Sequence, residues 1–320
     1  MSSEIPQALK AAVSQWLARN PSPDRREASA KLSKAYAAGQ SSGAVDLGTY
    51  LTVRMPATYA AISKVLGEVA NVAEGFNPSS MLDMGAGPGT ASFASAEIWT
   101  GLARFDLIEE NHRFATLAQD LCADILPFAK ISKARMQNVN GSADLVVAGY
   151  VFAEMGLPEV RQAALWLWQN AAQVLVIIEP GTPQGFARVK AAREALLKAG
   201  GNVLGPCTHA NACPMVKGNW CHFKTRLART REHLHSKGAS VPFEDEAFSW
   251  IAVSREKSIL PQARIIAPVQ VSKIGVACKT CSAAGITQTM IASRDRPAYK
   301  KAKKLMWGDA MMENTDAKPR

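Results

Sequence analysis

The sequence predicts an α/β fold built on a doubly wound, mostly parallel sheet. From residue 79 onward, short apolar runs alternate with segments of helical period, which is the pattern of successive βαβ units. The first apolar run ends in a glycine-rich turn, DMGAGPG at residues 83–89, directly before a segment of helical pattern. The next run ends at Glu109, so a carboxylate would stand beside that turn at the carboxyl edge of the sheet.

Helices and strands are predicted along the whole chain from their periods. Two segments with apolar residues at helical spacing and a basic stretch between them predict three helices that would form an N-terminal helical cap over residues 1–76. The segments are 5–17, 24–38 and 56–74. The sheet would lie within residues 77–255, with strands at 80–83, 104–109, 143–149, 173–179 and 247–255 and helices at 159–171 and 183–199. Residues 225–237 are predicted as a basic helix, and residues 256–320 as a small antiparallel β region with a basic tail.

Composition sets limits on the class of protein. With 320 residues, 48% of them apolar, the chain can bury a large core without disulfides. Its 37 basic and 27 acidic side chains give a net charge of +10, which favours a polyanionic partner such as RNA. No continuous apolar run approaches the roughly 18 residues of a membrane span, and the first residues lack the pattern of a leader. We therefore expect a cytoplasmic protein without membrane contact.

The glycine turn favours S-adenosylmethionine (SAM) over a dinucleotide. Gly85, Gly87 and Gly89 would let the backbone approach a ligand without intervening Cβ atoms. A dinucleotide-binding turn requires glycine three residues after Gly87, but Thr90 stands there, and SAM carries no phosphate. The alternative is a turn that binds no ligand, or another nucleotide.

Two carboxylates flank this turn. Glu109 could accept hydrogen bonds from both ribose hydroxyls of SAM. Asp83 could orient the turn, or meet the cofactor ammonium through water. Together with the strand and helix pattern, these groups predict a class I SAM-dependent methyltransferase fold, that is, a Rossmann-like doubly wound sheet.

The run that ends at Tyr150 does not indicate the methyl acceptor. In this fold the end of the strand opened by Asp144 carries groups that face the methyl donor. Enzymes that methylate base amines often have an Asn/Asp-Pro-Pro-aromatic motif there, whereas this chain has AGYVFAE at residues 148–154. A base-methylating signature is therefore absent, and no catalytic residue is assigned.

Cysteines cluster after residue 200. Cys207, Cys213 and Cys221 fall within fifteen residues of a segment broken by proline and glycine. The possible fourth ligands are Cys278, Cys281, His209 and His222. Four thiolates suit either a tetrahedral zinc ion or a 4Fe-4S cluster, and spacing alone does not separate the two. Metal binding would tie the loop to the C-terminal strand and contribute folding free energy, whereas the alternative is a set of unrelated buried thiols.

Several motifs together resemble a known family. They are YLTVRMPATY (50–59), LDMGAGPGT (82–90), IEPGT (178–182), PC (206–207) with CP (213–214), WCHF (220–223) and KLMWGD (304–309). On these motifs the chain resembles the mitoribosomal small-subunit methyltransferase-like proteins and their bacterial homologues over most of its length. The resemblance implies a SAM-type fold, a four-cysteine 4Fe-4S cluster and an association with small-subunit assembly.

The resemblance also implies a ligand set. Carried over by position, the cluster ligands would be Cys207, Cys213, Cys221 and Cys281, because the family's last cysteine precedes a short turn like SAAG at 282–285. Where the family tends to have a leucine-containing strand before that cysteine, this chain has ACKT at 277–280, so Cys278 stays an alternative to Cys281.

We therefore expect a SAM-dependent methyltransferase-like protein that acts on the small ribosomal subunit or its rRNA in ribosome assembly and translation. It would carry an iron-sulfur cluster and be monomeric off the ribosome. The first alternative is a non-catalytic rRNA-binding assembly factor that uses SAM and the cluster structurally, and the second is a zinc-containing small-molecule methyltransferase. Basic segments at 25–26, 224–231 and 299–304 fit an RNA partner, with Tyr299 and Trp307 available for stacking, although each segment could equally be an ordinary charged helix face.

Overall fold

The computed structural model describes residues 4–21, 27–32, 45–138, 141–216, 218–230, 233–234 and 240–311. These residues form an eight-stranded mixed sheet and a five-stranded antiparallel sheet. The strands of the larger sheet are β1 (Ser80–Met84), β2 (Arg104–Ile108), β3 (Ala129–Ser132), β4 (Ala143–Gly149), β5 (Ala171–Pro180), β6 (Asn202–Gly205), β7 (Phe223–Ala228) and β8 (Phe243–Ser254). The strands of the smaller sheet are β9 (Ala263–Ile265), β10 (Gln270–Val271), β11 (Gly275–Ser282), β12 (Gly285–Ala292) and β13 (Ala310–Met311).

Helices cover both faces of the larger sheet. They are α1 (Gln7–Arg19), α2 (Met55–Val72), α3 (Thr90–Ile98), α4 (His112–Cys122), α5 (Leu157–Asn170) and α6 (Pro183–Lys198), with α7 (Arg296–Ala302) beside the smaller sheet. A short α-helical turn, Leu47–Thr49, and a π-helical turn, Tyr50–Arg54, run directly into α2. Of the helix predicted at 24–38, residues 27–32 are helical and the rest lies outside the described residues. In the described parts of the chain, no helix combines the length and the apolar character that crossing a membrane requires.

The order of the strands identifies the larger sheet. It runs β3-β2-β1-β4-β5-β8-β6, with β7 also paired to β8. Strands β1 to β5 pair in parallel, whereas β8 lies antiparallel between β5 and β6. This is the sheet of class I methyltransferases, so the predicted fold class is confirmed at the level of the sheet. The order reverses between β1 and β4, and open α/β sheets bind ligands beyond the carboxyl ends of their strands at such a point.

Alternate residues of the parallel strands belong to opposite cores, as a strand covered on both faces requires. Leu145 and Val147 of β4 join the core under α2, α3 and α4, whereas Val146 and Ala148 join the core under α5 and α6. All four side chains are at most 1% exposed. The continuous apolar runs seen in the sequence therefore arise because both faces of these strands are buried.

The predicted basic helix at 225–237 is wrong at its start, where the chain forms β7. Phe223, Thr225 and Leu227 are buried and the residues between them are exposed, which is the two-residue period of a strand half in contact with the core. The exposed positions hold charged residues, and these masked the alternation in the sequence. Strands β3 and β6 were not predicted, because runs of four residues are too short to display a period.

The smaller sheet lies within the C-terminal β region predicted at residues 256–320. Its order is β10-β11-β9-β13, with β12 paired to β11. Ile265, Val276 and Cys278 pack with Ala302 of α7 to make its core. An ion pair joins this sheet to α2, since Nη1 of Arg264 lies 2.6 Å from a carboxylate oxygen of Glu68.

Candidate cofactor site and cysteine cavity

The glycine turn lies at the carboxyl end of β1, where the strand order reverses. Gly85, Gly87 and Gly89 all have left-handed backbone conformations, with φ angles of 64°, 55° and 89°. Residues with a Cβ rarely adopt these angles. A Cβ on Gly87 would come near only the Tyr50 hydroxyl, at 3.8 Å, so it would point into open space over the turn. The turn thus presents bare backbone to a potential ligand at Gly87.

Glu109, directly after β2, ties this turn down. One carboxylate oxygen accepts a hydrogen bond from the Gly87 backbone N–H at 2.8 Å, and the other accepts from the Asn111 N–H at 2.8 Å. Burial raises the pKa of Glu109, and these hydrogen bonds act in the opposite direction. Because a carboxylate offers about four acceptor positions, Glu109 keeps capacity for the sugar hydroxyls that the sequence suggested.

Asp83 holds the start of the helix that follows the turn. Its side chain is buried, and Oδ2 accepts hydrogen bonds from the Ser92 backbone N–H at 3.0 Å and from the Ser92 hydroxyl at 2.8 Å. The first turn of a helix leaves N–H groups without partners inside the helix, and a carboxylate there satisfies one of them. Burial raises the pKa of Asp83 to about 7. Of the two roles considered for Asp83, this arrangement supplies the orientation of the turn and of α3.

A narrow cavity lies over the turn. Its wall includes Tyr50 from the π-helical turn, Gly87, and Tyr150 at the end of β4. Its volume is about 30 Å³. Val151 packs against the same turn, since a Cβ on Gly85 would lie 2.8 Å from one of its methyl groups.

Tyr150 is held in place by a buried ion pair. Its φ is 62°, a region that few residues with a side chain occupy. Its hydroxyl donates to Oε1 of Glu246 at 3.2 Å, and Arg54 donates two hydrogen bonds to the same carboxylate, at 2.7 and 3.0 Å. The Arg54 guanidinium also lies 4.9 Å from the centre of the Tyr150 ring. Burial and the nearby Glu246 raise the pKa of Tyr150 well above its ordinary value, so the phenol keeps its proton.

Sequence reasoning missed Arg54 and Glu246. Arg54 lies within the YLTVRMPATY motif, and Glu246 begins the buried part of β8. The only available signal was a charged residue at the edge of an apolar segment, and such a signal does not reveal the partner.

Glu179 near the end of β5 was also missed. It is fully buried, and its Oε1 accepts from the Phe152 backbone N–H at 2.9 Å. Its Oε2 has no hydrogen-bond partner among the described residues. Burial raises the pKa of Glu179 to about 7, although the bond from Phe152 and the charge of Arg188 oppose this. Glu179 thus holds the loop after Tyr150, and Val151 of this loop packs on the glycine turn.

Four cysteines line one cavity next to the smaller sheet. They are Cys207, Cys213, Cys221 and Cys281. Cys278 is not among them, because it is buried in the core of the smaller sheet. Residues three apart on a strand point to opposite faces, which is why Cys278 and Cys281 of β11 are separated. The geometry favours Cys281 over Cys278 as the fourth candidate ligand.

Sulfur dominates the donor groups of this cysteine cavity. His209 contributes Nε2, 3.9 Å from the Cys281 sulfur, and no carboxylate lies among the wall residues. Burial and the neighbouring thiols raise the pKa of Cys281 to about 11 and that of Cys221 well above its ordinary value. A metal would have to displace these protons, because the thiolate is the ligand. Soft thiolate sets suit zinc, copper(I) or iron-sulfur clusters, so the donor chemistry fits the predicted cofactor.

The positions of the donor atoms in the cysteine cavity differ from those of a formed metal site. Among the described residues, no three His, Cys, Asp or Glu side chains are placed so that they could hold a metal ion. His222, one of the alternatives for a fourth ligand, does not line the cavity and instead stacks on Trp220, with ring centres 5.3 Å apart. The four predicted cysteine ligands therefore line one cavity, but they are not arranged as they would be around a bound metal ion.

The aromatic residues predicted for RNA stacking make internal contacts. The Trp307 ring meets His222 edge-on at 4.8 Å, with Nζ of Lys224 5.6 Å from its centre. The Tyr299 hydroxyl donates to the carbonyl of Ser272 at 3.0 Å. The lysines of residues 300–304 are exposed and available to phosphates, whereas the basic pair at 25–26 lies outside the described residues.

Comparison with known families gives one match across most of the chain. The family model described as "Mitochondrial small ribosomal subunit Rsm22" matches residues 44–312. The human protein "Ribosome assembly protein METTL17, mitochondrial" is 23% identical over 285 residues, which cover 82% of this chain and 61% of the relative. Two Schizosaccharomyces pombe proteins, "Rsm22-cox11 tandem protein" 1 and 2, mitochondrial, are each 28% identical over 226 residues, covering 60% of this chain and 30% of theirs. The chain thus spans less than two thirds of the length of these relatives.

Solved structures with a similar course of the chain include methyltransferases of small molecules. Magnesium protoporphyrin IX methyltransferase from Synechocystis, solved with bound SAM, has a TM-score of 0.45 and 11% identity, covering 74% of this chain and all of its own. Precorrin-6y C5,15-methyltransferase from Geobacter metallireducens has a TM-score of 0.40 and 15% identity, covering 61% and 87%. The fold assignment itself rests on the strand order of the larger sheet.

Proposed function

Because the chain belongs to the Rsm22 family of mitochondrial small ribosomal subunit proteins, we propose that it is a SAM-binding, methyltransferase-like factor in small-subunit assembly. The match spans both the glycine turn and the cysteine cavity. Its partner would be the small subunit or its rRNA, and a net charge of +10 favours association with such a polyanion. The name of the human relative, a ribosome assembly protein, supports the same role.

One contact carries the cofactor part of this proposal: the hydrogen bond from the Gly87 N–H to Glu109. This bond holds the backbone of Gly87 and the carboxylate of Glu109 side by side where the strand order reverses. Glu109 still has acceptor positions for further hydrogen bonds. Glu109 would receive the ribose hydroxyls, while Gly87 would let the cofactor lie against the backbone. Asp83 would keep α3 in register through Ser92. Bound SAM would supply an electrophilic methyl group.

Transfer of this methyl group would require an acceptor placed beside the bound cofactor. In an active enzyme the chain would act mostly by holding an RNA nucleophile in line with the methyl group. Tyr150, directly after β4, lines the cavity over the glycine turn, but its hydroxyl donates to Glu246, and Glu246 is ion-paired with Arg54. This arrangement favours a second candidate function, a non-catalytic assembly factor that uses SAM as a structural ligand.

Tritiated SAM and immature small subunits separate these two functions. Methyl label in the rRNA after incubation with the purified protein would support the enzyme. Saturable SAM binding that leaves the rRNA unlabelled would support the non-catalytic factor. An absence of SAM binding by folded, metal-replete protein would exclude both, because each requires the glycine turn to bind the cofactor.

We further propose that Cys207, Cys213, Cys221 and Cys281 hold a 4Fe-4S cluster. The sulfur-rich donor set of the cysteine cavity supports this, and the cluster would supply a cross-link between the loop after β6 and strand β11. Since that link closes a long segment of chain, its free energy of binding would stabilise the smaller sheet. Anaerobic purification tests the metal: brown protein containing iron supports the cluster, and colourless protein containing zinc supports the zinc alternative.

A further inference from the structure

Arg193 of α6 is a buried cation in the wall of the cysteine cavity. Its side chain is 4% exposed, and Nη2 donates to two backbone carbonyls, those of His209 at 2.9 Å and Asn211 at 2.8 Å. The wall contains no Asp or Glu. Among the described residues, the guanidinium is thus engaged by neutral carbonyls rather than by a carboxylate.

A buried guanidinium in this situation requires an anion. Arginine stays protonated in proteins, so the charge cannot be removed by loss of a proton. Removing a charge from water is costly, and buried charges are normally paired. The other buried arginine of the wall, Arg264, follows this rule, since it pairs with Glu68 at 2.6 Å. Among the described residues Arg193 has no such partner, and the cavity that it lines holds the four thiols together with His209.

Among these thiols, Cys207 is one on which the charge of Arg193 acts. The charge of Arg193 and a hydrogen bond from it lower the pKa of this thiol, although burial raises it more. The two carbonyls that Arg193 binds belong to residues between Cys207 and Cys213, so the same side chain also fixes the course of the loop that carries two of the candidate ligands.

We propose that Arg193 is a positioning residue whose guanidinium balances the negative charge that metal-bound thiolates bring into the cysteine cavity. The inference rests on the proposed cluster. Four thiolates exceed the positive charge of a 4Fe-4S core, so the assembled centre is an anion beside this cation. Its bonds to the loop carbonyls also hold Cys207 and Cys213 in place for ligation.

This role predicts an effect on the reduction potential. Reduction adds negative charge to the cluster, and a fixed positive charge nearby stabilises the reduced form. Removal of the charge should therefore make the potential more negative. An arginine that served only to shape the loop would alter the yield of folded protein but would not move the potential of the clusters that form.

The test compares variants of the full chain, purified and reconstituted with iron and sulfide under anaerobic conditions. Arg193→Gln removes the charge, and Arg193→Lys keeps it but loses the planar fork. Lys198→Gln, at the exposed end of the same helix, removes an equal charge away from the cavity and is the control. Iron content, the midpoint potential in a dithionite titration followed by electron paramagnetic resonance, and the rate of bleaching in air are measured, with thermal unfolding as a check on folding.

Arg193→Gln is expected to reduce the ratio of reduced to oxidised cluster by about tenfold at the wild-type midpoint, a shift of about 59 mV for one electron. It should also bleach faster in air, with Arg193→Lys intermediate and Lys198→Gln unchanged. If Arg193→Gln binds iron with a wild-type potential and the same stability in air, the inference is wrong and the cluster stands.

Two further outcomes also decide the matter. If the wild-type protein takes up no iron, the inference fails together with the proposed cluster. If Arg193→Gln does not fold, retention of iron by Arg193→Lys supports the role of the charge. Loss of iron from Arg193→Lys as complete as from Cys213→Ser would show that shape rather than charge is required, and would overturn the inference.

Discussion

Arg54 and Glu246 form a buried ion pair with two hydrogen bonds, although 192 positions separate them in the chain. Their side chains are 14% and 11% exposed. The pair joins the π-helical turn before α2 to β8, and the shared carboxylate receives the hydroxyl of Tyr150. Tyr150, whose φ is positive, is thus kept in place by contacts from two other elements, at the edge of the cavity over the glycine turn.

Glu246→Gln should destabilise the protein by about 3 kcal/mol, because it leaves the Arg54 charge buried without an anion. The adjacent residue offers a matched control. Asp245 forms the same kind of two-bonded pair with Arg226, but on the exposed face of β7 and β8. Asp245→Asn should change stability little, since solvent screens exposed pairs. Urea unfolding of both variants measures the difference, and equal losses would show that burial does not govern the pair.

The parts of the site that could be predicted from sequence are local in the chain. The glycine turn and Glu109 follow consecutive strands, so one strand–turn–helix pattern was enough to bring them together. Three of the cysteines could be grouped because they lie close together in the sequence. By contrast, Arg54 and Glu246 meet only because α2, which follows the π-helical turn, packs against β8, and no local pattern encodes such a meeting. Glu179 lies inside an apolar run, where sequence gives no sign that one carboxylate oxygen has no partner.

Gly87→Ala should weaken SAM binding by at least about tenfold, because its Cβ would project into the space over the turn and contact no atom of the protein more closely than the Tyr50 hydroxyl at 3.8 Å. The left-handed backbone adds a cost of roughly 1 kcal/mol that has nothing to do with the ligand. Gly75→Ala carries the same backbone cost at a φ of 77°, with nothing within 4 Å of its Cβ, and serves as the control. Isothermal titration with SAM decides: equal affinity in the two variants would remove the turn from the proposed site.

Cys281→Ala and Cys278→Ala should behave differently, although the two residues are three apart on β11. Cys281 lines the cysteine cavity, so its loss should reduce the iron content of the anaerobically purified protein and lower the thermal stability of the smaller sheet. Cys278→Ala should leave iron unchanged and cost roughly 1 kcal/mol from a small cavity in the core of that sheet. Iron analysis with thermal unfolding checks both. Loss of iron from the Cys278 variant alone would reverse the assignment of the fourth ligand.

Glu179→Gln should alter how stability depends on pH. Burial raises the pKa of Glu179 from 4.5 to about 7, so the folded protein holds this proton more tightly than the unfolded chain does. The wild type therefore loses stability as the pH rises from 4.5 to about 7, by roughly 3 kcal/mol at about 1.36 kcal/mol per pH unit, and then no further from this group. Glutamine stays neutral and keeps the acceptor for the Phe152 N–H, so the variant should gain on the wild type by this amount between pH 4.5 and pH 8.

Urea unfolding at both pH values measures this gain, and Glu110→Gln, which changes an exposed carboxylate paired with Arg135, is the control. If the difference in stability between Glu179→Gln and the wild type stayed constant between pH 4.5 and pH 8, Glu179 would be ionised over the whole interval. The predicted rise in its pKa would then be wrong.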